Sequence, residues 1–172
     1  MSTEKRSIGT LAKPSDLRVR GYCVTWDAYD MGHEFERVDP AAFTRSLESP
    51  DDIALLWNHD TGKPLARVRA GNLRLFADST GLGFEATLTD TQSAREAVEL
   101  VKSGVVSQCS FGFIVRKERY DKDEKGRSVR VILDADLMEV SICTFPANPS
   151  TSVEARSEVH RVFKRIHLQP PM

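Results

Sequence analysis

The sequence predicts a mainly β fold with peripheral helices, an α+β class in which short, mostly antiparallel strands form a barrel or a sandwich. Three observations support this prediction. Roughly seven or eight short segments show the alternation, or the β-branched and aromatic enrichment, that is typical of strands. Tight turns rich in Gly, Pro, Asn and Asp join most of these segments. Only two or three segments show the spacing of an amphipathic helix.

The first predicted strand and helix lie near the start of the chain. Residues 17–26 alternate between apolar and polar side chains, as a half-buried strand does. Residues 27–38 are expected to form a loop. Asp39 is a favourable N-cap and Pro40 suits the first helical turn. The sequence therefore predicts a helix that begins here and ends near Pro50.

The next segment is a buried strand that is followed directly by polar residues. Residues 53–57 are a compact apolar run, and Asn58-His59-Asp60 comes straight after them. Such a strand commonly delivers polar side chains to the rim of a fold. Residues 64–70 and 72–78 are predicted to form a strand pair, and residues 82–88 are predicted to form a further strand.

The clearest helical pattern leads into the strand that carries Ser110. Residues 92–103 place apolar side chains three and four positions apart, and Thr91 offers a cap. Residues 105–115 are rich in β-branched and aromatic side chains, with Ser110 in the middle. Gly112 allows a bulge or the close approach of another segment.

Two further strands are predicted after a charged turn. Residues 120–128 are charged and are expected to form a solvent-exposed hairpin turn. The strands are predicted over residues 129–133 and 137–145. In the second strand, alternation places three side chains on a common face: Glu139, Ser141 and Cys143.

The chain divides into three predicted parts. Residues 1–16 are polar and are expected to form a flexible arm. Residues 17–154 form the predicted domain. Residues 155–172 form a basic, amphipathic tail. We interpret this tail as a helix that packs on its own domain, packs on another subunit, or is removed.

Composition narrows the classes of partner. The net charge of −1 gives no electrostatic case for nucleic acid. No apolar run approaches the ~20 residues of a membrane span. Cys23, Cys109 and Cys143 lie in strand-like segments, which indicates buried, reduced thiols. The sequence has neither a CxxC pair nor an HExxH motif, so we expect no metal and no cofactor.

Three polar residues each interrupt an apolar strand or its end: His59, Ser110 and Glu139. A half-buried carboxylate without a partner is costly, and a neighbouring imidazole would remove that cost. The imidazole could in turn serve a serine hydroxyl, which is too weakly acidic to attack an amide unaided. The residue types leave simpler alternatives open, in which Ser110 is an ordinary strand residue and His59 caps a turn with Asp60.

Several sequence blocks follow one another in a recognisable order. They are Leu56-Trp57-Asn58-His59-Asp60 with Pro64-Leu65-Ala66-Arg67-Val68, Leu73-Arg74-Leu75 with Asp78-Ser79-Thr80-Gly81-Leu82, Ser110-Phe111-Gly112-Phe113, and Leu137-Met138-Glu139-Val140-Ser141 with Thr144-Phe145-Pro146-Ala147-Asn148-Pro149. Together they resemble the prohead serine proteases of tailed bacteriophages. The resemblance extends over about residues 17–156, and the set of blocks is far more specific than any one of them.

The resemblance implies a fold and a set of site residues. The fold is that of the herpesvirus assembly proteases, a β-barrel ringed by helices. Ser110 takes the place of the nucleophile, His59 that of the general base, and Glu139 that of the third, acidic member. The rivals of Glu139 are two other carboxylates, Asp60 and Asp136. Cys109 is a rival nucleophile, but adjacent strand residues point to opposite faces, which disfavours it.

The resemblance also implies a function, with its partners and location. It is a serine endopeptidase that cleaves the scaffolding segment of the major capsid protein, and itself, as a homo-oligomer. It acts in the host cytoplasm inside the assembling prohead, with no cofactor, nucleic acid or membrane as partner. Two other functions stay open: an inactive capsid or scaffold component with the same barrel, and a barrel that binds a small molecule.

Overall fold

A computed structural model of the protein describes residues 16–156. In this part of the chain, strands far outnumber helices, which confirms the mainly β prediction. The elements are β1 (Arg18–Thr25), β2 (Tyr29–Asp30), β3 (Phe35–Val38), α1 (Thr44–Glu48), β4 (Ala54–Trp57), β5 (Asp60–Arg67), β6 (Leu73–Ala77), β7 (Gly81–Thr87), α2 (Gln92–Lys102), β8 (Gln108–Lys122), β9 (Ser128–Cys143) and β10 (Ser152–Arg156).

The strands form two sheets. The first has the order β10-β1-β7-β6 and is antiparallel throughout. The second has the order β2-β3-β9-β4-β5, with β8 also paired to β9. Strand pairing does not close these sheets into a barrel within residues 16–156. The strand-rich class is therefore confirmed, while barrel closure is not.

Strand β9 is the organising element of the second sheet. It pairs antiparallel with β8 along its whole length, and its other edge pairs in parallel with β3 and then with β4. Two strands were predicted here, over 129–133 and 137–145, whereas the structure has one continuous strand. The intervening residues stay in the strand because Ala135 is buried and the carboxylates of Asp134 and Asp136 bind Arg45.

The loop predicted over 27–38 is wrong in part, because it contains β2 and β3. Glu36 points inward in β3 and breaks the apolar alternation that would have indicated a strand. Its buried carboxylate accepts a hydrogen bond from the Tyr29 hydroxyl at 2.5 Å and one from Arg130 at 3.1 Å. These two donors offset the cost of burying the charge.

The helix predicted from Asp39 is also shorter than expected. The Asp39 carboxylate accepts from the Ala41 N–H at 2.9 Å and so forms a local turn instead of a helix cap. The α-helix proper begins at Thr44. The segment nevertheless serves the sheet, since buried Phe43 makes edge-to-face contacts with Phe111 and Phe113 on the inner face of β8.

The predicted pairing of residues 64–70 with 72–78 is wrong. Strand β5 pairs with β4 in one sheet, while β6 pairs with β7 in the other. The chain turns between the sheets at Gly71, whose φ is +73°. Both predicted segments contain a strand, although β5 ends at Arg67, but a strand's own pattern carries no information about its partner.

Helix α2 follows the prediction closely. The Thr91 hydroxyl accepts from the Ala94 N–H at 3.2 Å, and the helix buries Ala94, Ala97, Val98 and Val101. Neither helix in residues 16–156 is long and apolar enough to cross a membrane.

The ends of the chain were only partly predictable. Residues 152–156, which the sequence did not identify as a strand, form β10 and pair with β1. The arm predicted over residues 1–16 lies outside the described residues except for its last position, and so does the tail beyond residue 156.

Candidate active site

His59 lies in a two-residue hairpin turn between β4 and β5. Trp57 pairs with Asp60, so Asn58 and His59 are the whole connection. Both have positive φ, 50° for Asn58 and 59° for His59, as a type I′ turn requires. Asparagine tolerates this left-handed conformation well, whereas a histidine in it carries strain. The strained turn presents the imidazole at the edge of the sheet.

Three hydrogen bonds hold this turn against the end of β9. The Asn58 N–H donates to the Ile142 carbonyl at 2.9 Å, and the Asn58 side-chain oxygen accepts from the Thr144 N–H at 3.1 Å. The His59 N–H donates to the Ser141 hydroxyl oxygen at 3.1 Å. The surrounding structure therefore over-determines the strained conformation, which is how such strain persists at functional sites.

The His59 ring contacts the carboxylate of Glu139. Nδ1 of His59 lies against Oε1 of Glu139, and the Ser141 hydroxyl donates to Oε2 of the same carboxylate at 2.6 Å. The Glu139 side chain is only 16% exposed, whereas that of His59 is 45% exposed. The carboxylate thus orients the ring from the protein side and leaves Nε2 for another partner.

Ser110 lies on β8, directly opposite Ser141 of β9. Opposed residues of an antiparallel pair share a face, so Ser110 is on the face that carries Ser141 and Glu139. Ser110 is 8% exposed. Within residues 16–156 its hydroxyl makes no hydrogen bond, and so none to His59. Catalytic hydrogen bonds are often open in a free enzyme and tighten when substrate binds.

The backbone around Ser110 is fixed on both sides. The Thr151 hydroxyl accepts from the Cys109 N–H at 3.1 Å and donates to the Cys109 carbonyl at 2.6 Å. Gly112 lies opposite Glu139, and the carboxylate occupies the space above this glycine. A Cβ at position 112 would come within 2.7 Å of the Glu139 Oε1. The structure therefore brings His59, Ser110 and Glu139 to one face of the second sheet.

The predicted rivals of these residues are engaged elsewhere. Asp136 binds Arg116 and Arg45, and these guanidinium groups lower the pKa of its carboxyl. The Asp60 carboxylate accepts from the Gly62 N–H at 2.8 Å. Cys109 is fully buried on the opposite face from Ser110, and its burial raises the pKa of the thiol well above its usual value.

Two residues of this site had no role assigned from the sequence, Asn58 and Ser141. A two-residue connection that begins with asparagine, between two strand-like segments, is the signal that could have identified the turn. Ser141 was placed on the face of Glu139 by alternation, but its contact with the turn depends on a distant segment. No group of three His, Cys, Asp or Glu side chains in residues 16–156 is arranged to hold a metal ion.

The sequence of this chain matches a known family over nearly its whole length. The model of the caudovirus prohead serine proteases matches residues 4–165. The chain belongs to this family. It is also 32% identical, over 123 residues, to the prohead protease of Enterobacteria phage HK97. That match covers 70% of this chain and 52% of the HK97 protein, so the chain spans about half the length of this curated relative.

A solved structure shows the same fold. The structure is the KSHV protease in complex with a hexapeptide phosphonate inhibitor, with a TM-score of 0.55 and 14% sequence identity. The match covers 86% of this chain and 68% of the viral protease chain. This supports the predicted likeness in fold between the phage family and the herpesvirus proteases.

Proposed function

We propose that the chain is a serine endopeptidase of capsid maturation, in which Ser110 is the nucleophile, His59 the general base and Glu139 the orienting acid. The observation that carries the proposal is the contact of His59 Nδ1 with the Glu139 carboxylate on the face that also carries Ser110. A carboxylate on Nδ1 holds the ring so that Nε2 can take a proton from a hydroxyl. Membership of the prohead serine protease family supports the same assignment.

The reaction is acyl transfer to water. Nε2 of His59 takes the proton of Ser110 as the hydroxyl attacks the scissile carbonyl, and then gives that proton to the leaving amine. Water next enters, loses a proton to the same nitrogen and attacks the acyl group; as the bond to Ser110 breaks, the imidazolium returns that proton to the serine oxygen and the acid product leaves. Glu139 stabilises the imidazolium that forms in both steps. Backbone N–H groups near the serine stabilise the oxyanion.

The proposed substrate is the scaffolding segment of the major capsid protein, together with the protease itself as a homo-oligomer. The proposed place is the host cytoplasm, inside the assembling prohead. The family assignment and the HK97 prohead protease relative support this function.

We further infer that the two sheets form the wall of one barrel. Two backbone hydrogen bonds link them. The Val153 N–H donates to the Ser107 carbonyl at 2.9 Å, which joins β10 to the start of β8. The Thr89 N–H donates to the Leu65 carbonyl at 3.0 Å, which joins the end of β7 to β5.

The function is tested with a fluorophosphonate probe and with a co-expressed major capsid protein that still carries its scaffolding segment. We expect the probe to label the chain once, on Ser110, because only an activated serine reacts readily. Co-expression should also shorten the capsid protein, as measured by intact-mass spectrometry. A chain that neither takes the probe nor shortens the capsid protein would be an inactive capsid component, the alternative function given above.

Gly112→Ala is expected to lower cleavage about 100-fold while the protein stays folded. The new Cβ would meet Oε1 of Glu139, which is the far end of a flexible side chain, so the carboxylate moves and the strand does not. A displacement of about 1 Å in a catalytic group can cost 10²-fold in rate. Cleavage rate and thermal midpoint are measured together. Adding Gly112→Ala to a Glu139→Ala variant should lower the cleavage rate little further. A large further loss of rate in the double variant would contradict this explanation.

A further inference from the structure

The side chain of Ser141 joins two parts of the site that are far apart in sequence. It is completely buried. Its hydroxyl oxygen accepts from the backbone N–H of His59 at 3.1 Å, and the same hydroxyl donates to Oε2 of Glu139 at 2.6 Å. A serine hydroxyl has one proton to donate. The Ser141 hydroxyl donates that proton to the Glu139 carboxylate, so one rotamer of Ser141 makes both hydrogen bonds.

We propose that Ser141 is a positioning residue that holds the carboxylate of Glu139 and the turn of His59 in one geometry. The inference rests on the proposed function and deepens it. Oε1 of Glu139 faces the imidazole, and without a donor on Oε2 the carboxylate could rotate away from the ring. The His59 N–H lies in the turn between paired strands and relies on the Ser141 oxygen as its acceptor. One hydroxyl therefore positions both the Glu139 carboxylate and the His59 turn, whose side chains contact each other.

A second buried serine shows what a purely structural role looks like in this fold. The Ser46 hydroxyl accepts from the Leu137 N–H at 3.0 Å and donates to the Ala135 carbonyl at 3.4 Å. Both of its partners are backbone groups, so Ser46 ties α1 to β9 and touches nothing that reacts. Ser141 differs in one respect: the group that receives its proton is the carboxylate that orients His59. Ser46 is therefore the matched control.

The expected effect of Ser141→Ala is a slower chemical step with unchanged binding. Labelling by a fluorophosphonate should show a maximal rate constant about 10- to 100-fold lower, the range for losing a hydrogen bond to a charged group, and an unchanged half-saturating concentration. Ser46→Ala should lower the thermal midpoint by a similar amount and leave the labelling rate within about twofold of the wild type. Equal slowing in both variants would overturn the proposal.

A double-mutant cycle tests whether Ser141 acts through Glu139. Three variants of the full chain are compared with the wild type: Ser141→Ala, Glu139→Ala and the double variant. If Ser141 works by holding the carboxylate, Ser141→Ala should cost far less in the Glu139→Ala background than in the wild type, because alanine offers the hydroxyl no acceptor. Full additivity of the two losses would show that Ser141 does not act through the carboxylate, and would overturn the proposal.

The low-field proton NMR signal of the His59 ring gives a readout that does not require activity. A proton on Nδ1 that is hydrogen bonded to Glu139 should give such a signal in the wild type, and Ser141→Ala should weaken or remove it. A wild type that shows the signal but takes no probe would defeat the peptidase function and leave this geometric role standing. A signal that is unchanged in Ser141→Ala defeats the positioning role whatever the activity.

Ser141→Thr covers the case in which the alanine variant does not fold. Threonine keeps the hydroxyl and suits a strand. We expect a labelling rate within a few-fold of the wild type. A folded threonine variant that labels 100-fold more slowly and still shows the His59 signal would overturn the proposal.

Discussion

Replacing Ser110 by alanine is expected to abolish cleavage of the co-expressed capsid protein, with a loss of at least about 10⁴-fold in rate. The reason is chemical, since Ser110 lies on the face that carries Glu139 and its hydroxyl makes no hydrogen bond within residues 16–156. Removal of a serine nucleophile leaves only the small residual rate that the rest of the site supplies. The measurement is the fraction of capsid protein shortened over time, by intact mass.

Ser107→Ala is the matched control for this change. Ser107 lies three residues before Ser110 and is exposed, and the contact it makes to β10 uses its backbone carbonyl, which alanine keeps. The Ser107→Ala variant should cleave the capsid protein at the wild-type rate. The thermal midpoint of Ser110→Ala should stay within a few degrees of the wild type, because its hydroxyl makes no hydrogen bond in the described part of the chain. Undiminished cleavage by a well-folded Ser110→Ala protein would remove Ser110 from the mechanism.

Glu139→Gln is expected to slow cleavage by about 10²- to 10⁴-fold. The amide has nearly the same shape as the carboxylate but carries no charge to stabilise an imidazolium. It can also donate to Nδ1, which would put the ring in the wrong tautomer for proton transfer from Ser110. The loss should appear in kcat, with KM little changed, because substrate does not need to touch this buried carboxyl.

Asp136→Asn and Asp60→Asn separate Glu139 from its rivals. Asp136 pairs with two exposed arginines, whose guanidinium groups lower the pKa of its carboxyl, so these pairs add stability above the ordinary pKa of an aspartate. That contribution is lost as pH falls through the lowered pKa. At neutral pH the Asp136→Asn variant should therefore have a slightly lower thermal midpoint than the wild type and cleave at the wild-type rate. A loss in either control as large as that of Glu139→Gln would transfer the acidic role to that residue.

The residues of the site were predictable because they break apolar patterns. Ser110 and Glu139 each stand where a strand would otherwise bury a hydrophobic side chain, and His59 follows directly after a buried strand; the cost of burying a polar group is a physical signal in the sequence. Alternation also placed Ser141 on the face of Glu139. The sequence could not predict the distances between these side chains. They lie on three segments far apart in the chain, which meet only after β4 and β8 have both paired with β9.

The pairing of the strands was the least predictable part of the fold. The parallel partners of β9, which are β3 and β4, come from far earlier in the chain. Strand β3 was hidden because Glu36 occupies an inward position that the Tyr29 hydroxyl and Arg130 make tolerable. Strand β10 was hidden by its charged residues. In each case a tertiary contact supplied what the local pattern lacked.

The left-handed conformation of His59 has a consequence for how this protein can evolve. Glycine adopts positive φ without a Cβ penalty, so a His59→Gly substitution would remove backbone strain of about 1 kcal/mol from the turn. The same substitution would remove the imidazole. Selection for a sturdier fold and selection for proteolysis therefore act on this position in opposite directions, and a lineage released from the need to cut would be free to drift towards glycine.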